Sequence, residues 1–188
     1  MWLLERHVDR RLTCRLACIA CLGGLVAGCF QPLYGEHSLT NSPAVGPALA
    51  GVDVNQIPAP NGTSEARVAV EVRNQLLFNL TGGAEPPPPT HRLAIRMSSN
   101  RMSVIVDITS GRPDVEDYGL NAYYTLTEIK SGKQVVTGTT FARVSYDIPG
   151  QAQRFARSRG LRDAENRAAK QIADNIKARL ASYFVAGT

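Results

Sequence analysis

A chain of 188 residues with 44% hydrophobic, 20% charged and 6% aromatic positions has the composition of a folded domain with a sizeable core, which excludes a disordered tail protein. Its 21 basic and 16 acidic residues leave a formal charge of +5, too small and too scattered to point to nucleic acid. Cys14, Cys18, Cys21 and Cys29 all fall within the first 29 residues and His7, His37 and His91 are scattered, which argues against a zinc site, a thiol nucleophile or a redox pair in the body of the chain.

The chain opens with Arg6, Arg10, Arg11 and Arg15, continues through the apolar run Leu16 to Val26, and reaches the small residues Ala27 and Gly28 just before Cys29. This is the layout of a secretory signal over 1–28. The apolar run is shorter than the roughly 20 residues that span a bilayer, so a retained helical anchor is the weaker reading. Val26-Ala27-Gly28-Cys29 resembles the bacterial lipobox, where the cysteine is lipidated and becomes the mature N-terminus; the alternative is a chance thiol in a discarded signal. Acyl chains on Cys29 would hold the protein to a membrane, since each buried methylene contributes about 0.8 kcal/mol. Phe30 replaces the aspartate that retains similar lipoproteins in the inner membrane, so the expected location is the periplasmic side of the outer membrane.

Residues 29–51 are rich in proline and glycine and are expected to form a lipidated tether, with a single domain over 52–188. Alternation of Val52, Val54 and Gln56 with Asp53, Asn55 and Ile57 predicts a short opening strand. Thr63, Ser64 and Glu65 offer a helix cap, after which Val68, Val72, Leu76 and Leu80 recur at spacing four until Gly82 and Gly83. Pro86 to Pro89 make a stiff connector, read as a spacer in preference to a docking ligand. The period then falls to two: Leu93, Ile95 and Met97 alternate with Arg92, Ala94, Arg96 and Ser98, and Ser103 to Thr109 continues as strand. A polar segment containing Asp107, Asp114, Glu116 and Asp117 is expected to be a solvated loop. Tyr118 to Ile129 and Gln134 to Tyr146 read as partner strands joined by the turn Lys130-Ser131-Gly132-Lys133. Leu161, Ala164, Ala168, Ile172, Ile176 and Leu180 trace the stripe of a long closing helix. The order β-α-β-β-β-α predicts an α+β two-layer sandwich, a four-stranded, mainly antiparallel sheet covered on one face by two helices, its other face wet.

No nucleophile elbow, phosphate loop, metal-binding helix motif or dinucleotide fingerprint occurs, so catalysis, a metal and a cofactor are not expected. Asp114, Glu116 and Asp117 lack the alternation of a calcium loop, and Glu128 and Glu165 read as surface charges. The suggestive feature is basic: Arg92 and Arg96 share a strand face, with Arg143, Lys130 and Lys133 as further candidates for phosphate. Charge on a wet sheet face also serves solubility, and both readings stand. At an outer membrane, phosphorylated glycolipid is the abundant polyanion.

The stretch Ala27-Gly28-Cys29-Phe30-Gln31-Pro32-Leu33-Tyr34-Gly35 resembles the N-terminal signature of the LPS-assembly lipoprotein LptE family. The likeness continues through Arg73-Asn74-Gln75-Leu76, Tyr124 and Leu126, Gly138, Ser145-Tyr146 and the helix from Asp163 to Leu180, closing on Tyr183-Phe184. It implies a non-enzymatic two-layer domain that plugs the outer-membrane β-barrel LptD, assists its assembly and takes part in delivering lipopolysaccharide to the outer leaflet. Arg92, Arg96, Arg143, Lys130 and Lys133 become candidates for lipopolysaccharide phosphates, whereas Tyr34, Arg73 and Asn74 are as readily structural. The rival is an auxiliary periplasmic lipoprotein of an envelope transport complex, docked to a transporter.

Overall fold

The computed structural model describes residues 45–106, 113–148 and 154–187; the expected signal, Cys29 and the Pro-Leu-Tyr-Gly stretch lie outside them. The described chain begins with a short helix, α1 (Val45–Ala50), within the segment expected to be tether. Val45 and Leu49, four residues apart, fall on one helix face and are buried against the two longer helices. Pro47 does not break this helix because it lies in the first turn, where its missing N–H has no partner to lose. Despite their proline and glycine content, residues 45–51 belong to the packed unit and not to the expected tether.

Strand β1 (Val52–Val54) follows at once, buries Val52 and Val54, and runs parallel to β2 (His91–Val106), pairing Val52 with His91 and Val54 with Leu93. Parallel neighbours need a crossover, and α2 (Ser64–Thr81) supplies it. Its expected cap is present: Thr63 Oγ1 accepts from the Ala66 N–H at 3.2 Å, and Gly82, at φ 65°, donates its N–H to the Phe78 carbonyl. Val68, Val72, Leu76 and Leu80 are all buried, with Ala69 widening the stripe.

From β2 the chain meanders through β3 (Pro113–Glu128) and β4 (Gln134–Asp147), all antiparallel, giving the sheet order β1-β2-β3-β4. The β3–β4 turn is the expected one; Gly132 at φ 68° provides the left-handed residue, and the Glu128 N–H donates to the Lys133 carbonyl at 2.9 Å. Strand β3 begins earlier than expected, while residues 107–109, expected to continue β2, lie outside the described residues. Asp114, Glu116 and Asp117 belong to β3, with Glu116 facing Ser103 and Asp117 facing Met102 across the pair. The acids had masked a period of two that runs unbroken from Glu116 through Tyr118, Leu120, Ala122, Tyr124 and Leu126, all of which are buried.

Helix α3 (Arg154–Ala186) lies against α2, β3 and β4. Its buried stripe is made of doublets, Ala168-Ala169, Ile172-Ala173 and Leu180-Ala181, whose small members let the helix approach its neighbours closely. Both long helices cover the same sheet face, so the α+β two-layer architecture is as expected, with α1 added. No described helix is long and apolar enough to cross a membrane.

Candidate functional site

The covered layer holds two carboxylates, Glu116 and Glu165, that are expected at the surface but are buried. Glu165 on α3 is 2% exposed and forms an ion pair and hydrogen bond with the Arg67 guanidinium of α2. Glu116 on β3 accepts a hydrogen bond from the Tyr146 hydroxyl and, at 3.3 Å, one from Arg157 Nη2 of α3. Burial is tolerable for both because each negative charge has a guanidinium beside it. Burial and the Glu116 carboxylate push the Tyr146 hydroxyl up to about 12. Glu116, Arg157 and Glu165 line a polar cavity of about 540 Å³ between the start of α2, the sheet and the first turns of α3. All its buried side-chain polar atoms are satisfied among the described residues, so its charges serve cohesion between layers. Arg73 is likewise structural, its Nε donating to the Val54 carbonyl at 3.0 Å.

The opposite sheet face carries the basic candidates, and the register sorts them. Arg92 pairs across to Thr127, next to Gln134, so it lies at the same end of the sheet as Lys130 and Lys133, and the Asp53 carboxylate is 3.7 Å from its Nε. Arg96 lies in the row Arg96, Tyr123, Thr139; the next row is Ser98, Asn121, Phe141, and the one beyond is Asn100, Gly119, Arg143. Arg143 is thus not beside the turn lysines but towards the far end of the sheet. Neither Arg96 nor Arg143 has a carboxylate partner among the described residues.

Between these two arginines the sheet exposes Tyr123 and, at 70%, Phe141. Large rings are also exposed at Phe78 and Phe155. Arg96, Ser98, Asn121, Tyr123, Thr139 and Phe141 line a shallow groove of about 450 Å³. One row beyond the groove, in the row of Arg143, the Asn100 amide lies across Gly119, and a Cβ there would collide with Asn100 Oδ1. Sequence reasoning overlooked Tyr123 and Phe141 because it followed only the core-facing parity; the same period of two places them on the wet face.

At the end of the sheet that carries Arg92, the His91 ring meets Phe184 of α3 edge-on, at 5.2 Å between centroids. Burial lowers the His91 pKa below 6.5, an effect that Glu128 partly offsets. No group of three or more histidine, cysteine or acidic side chains suited to a metal occurs among the described residues.

A family model described as "LptE: Lipopolysaccharide-assembly" matches residues 49–180. No curated protein matches the sequence. Among solved structures, a lipoprotein from Caulobacter crescentus CB15 is similar, with a TM-score of 0.58 at 22% identity over 77% of this chain and 97% of that one. Uncharacterized lipoprotein B from Nitrosomonas europaea matches with a TM-score of 0.52 at 10% identity, over 80% of this chain and 94% of that one. At these identities the likeness is one of fold.

Proposed function

Since this chain belongs to the LptE family of lipopolysaccharide-assembly proteins, we propose that it is an outer-membrane lipoprotein that plugs the LptD β-barrel, assists its assembly, and contacts lipopolysaccharide on the way to the outer leaflet. The family is one of assembly, not of catalysis. The observation that carries the reading is the family match over most of the folded unit, 49–180. Physical chemistry supports each part. A domain seated in a polar barrel lumen needs a filled core and a wettable exterior, and a two-layer domain with one open, hydroxyl-rich and basic sheet face meets that need. Cys29, after its short apolar run, is the proposed lipidation site, and Phe30 favours the outer membrane. Arg92, Arg96, Arg143, Lys130 and Lys133 are the proposed contacts for lipopolysaccharide phosphates, with Arg96 and Arg143 favoured because no carboxylate among the described residues neutralises them.

The test is to express the whole chain, with its own barrel partner and a C-terminal tag, in a Gram-negative host and purify it in mild detergent. The expected companion is a heat-modifiable β-barrel in equal amount. Recovery of an inner-membrane transporter without a barrel would replace the plug with the auxiliary-lipoprotein role.

A further inference from the structure

We propose that the open sheet face between Arg96 and Arg143 takes the sugar-phosphate part of a glycolipid, with Tyr123 and Phe141 as a platform for its rings and the two arginines as holders of its phosphates. This rests on the lipopolysaccharide reading and deepens it by naming the part of the molecule that is held and two residues outside the basic set. Charge complementarity fixes the occupant's sign: Arg96 and Arg143 are exposed, and among the described residues neither is paired with a carboxylate. Guanidinium groups match phosphate oxygens by paired hydrogen bonds.

The shape of the patch then selects a saccharide over an acyl chain. The groove is shallow and open, with no walls that could enclose a hydrocarbon tail, and its apolar surface comes as separate rings set among Ser98, Asn121 and Thr139. A sugar ring has the complementary make-up, a C–H face that packs on the electron-rich face of an aromatic ring and a rim of hydroxyls that needs amide and hydroxyl partners. Tyr123 and Phe141 are diagonal neighbours, since Tyr123 pairs with Thr139 and Phe141 with Asn121. Arg96 and Arg143 are two strands and four residues apart, roughly 17 Å between Cα positions from strand spacing. That separation suits phosphates at two ends of a multi-ring saccharide better than a single phosphate. The Asn100 amide, laid over Gly119 in the row of Arg143, adds a donor and acceptor at that end.

The experiment uses the full chain in detergent and calorimetry with three probes: fully deacylated, phosphorylated lipopolysaccharide saccharide; the same saccharide after phosphatase; and phosphatidylglycerol vesicles. The phosphorylated saccharide is expected to bind. Phe141→Ala should weaken it about tenfold while Phe141→Tyr keeps it, the size expected for losing one well-stacked ring. Arg96→Gln with Arg143→Gln should erase the preference for the phosphorylated form. Circular dichroism of each variant should match that of the parent, since all these side chains are exposed.

Several outcomes would overturn the proposal yet leave the wider function standing. One is intact lipopolysaccharide binding with no saccharide binding; another is saccharide binding indifferent to all these substitutions. Vesicle binding as tight as saccharide binding and indifferent to Phe141→Ala would also sink it. So would release of the β-barrel by Phe141→Ala with saccharide affinity unchanged, which would make the face a protein interface. A parent protein that binds neither lipopolysaccharide nor its saccharide defeats the lipopolysaccharide reading itself.

Discussion

The two faces of the sheet treat charge in opposite ways. On the covered face, Glu116 and Glu165 are buried and each has a guanidinium, from Arg157 and Arg67 respectively. On the open face, Arg96 and Arg143 have no carboxylate partner among the described residues, and two large rings stand in solvent between them. Charge under the helices is neutralised locally and joins the layers, whereas on the open face only Arg92 has a carboxylate beside it, and Arg96 and Arg143 have none among the described residues. The same alternation of strand residues delivers both arrangements, so one substitution tests cohesion or recognition according to its parity.

The comparison breaks if core and open-face substitutions cost the same. Leu76→Ala, which empties a fully buried site on α2, should lower unfolding free energy by about 3 kcal/mol in denaturant titrations. Arg67→Ala should cost about 2 kcal/mol by the same measurement, because it strands the Glu165 carboxylate; half-exposure of the arginine keeps this below the cost of breaking a fully buried pair. Arg96→Gln with Arg143→Gln should change stability by no more than about 0.5 kcal/mol, a contrast that sharpens the division between the faces.

Titration sharpens it further. The folded state holds the Tyr146 proton up to about pH 12, against 10.0 for an ordinary tyrosine. Its contribution is therefore complete below pH 10.0 and declines as pH rises towards about 12, because there the unfolded chain releases the proton first. The expected slope is about 1.4 kcal/mol per pH unit, and Tyr146→Phe should flatten it in alkaline unfolding curves. His91 acts at the acid end. Its lowered pKa means the contribution is present above 6.5 and is lost as pH falls through the folded value, and His91→Phe should remove that acid-side loss from thermal melts.

Where one local rule governed, the sequence was sufficient. The Thr63 cap and spacing of four define α2, and the glycine turn defines the β3–β4 hairpin. The differences share a cause: in these segments composition conceals the period. Six residues are too few to display helical periodicity, so Pro47 and Gly46 hid α1 although Val45 and Leu49 hold the right spacing. Acids hid the first residues of β3, although Glu116 continues the parity of Tyr118 and Leu120. Glu165 lies four and eight residues before Ala169 and Ala173, a second track of the α3 stripe invisible to a search for large apolar residues. The basic candidates were legible as residue types, but which arginines lack a counter-ion depends on Asp53 lying beside Arg92, a contact that required the parallel pairing of β1 with β2.

The sheet order leaves β4 as a terminal strand, with alternate amides and carbonyls along Gln134–Asp147 facing no other strand. Such an edge can template the addition of foreign strands, and proteins guard it with charge or by occupying its hydrogen bonds. Here Arg167 reaches from α3 to the Ser145 carbonyl at 3.2 Å and stoppers one end. The turn lysines Lys130 and Lys133 stand at the other and repel a like-charged copy. Colloidal behaviour at high concentration is thus set by the short stretch between these two guards, and Arg167→Ala is the change that would lengthen it.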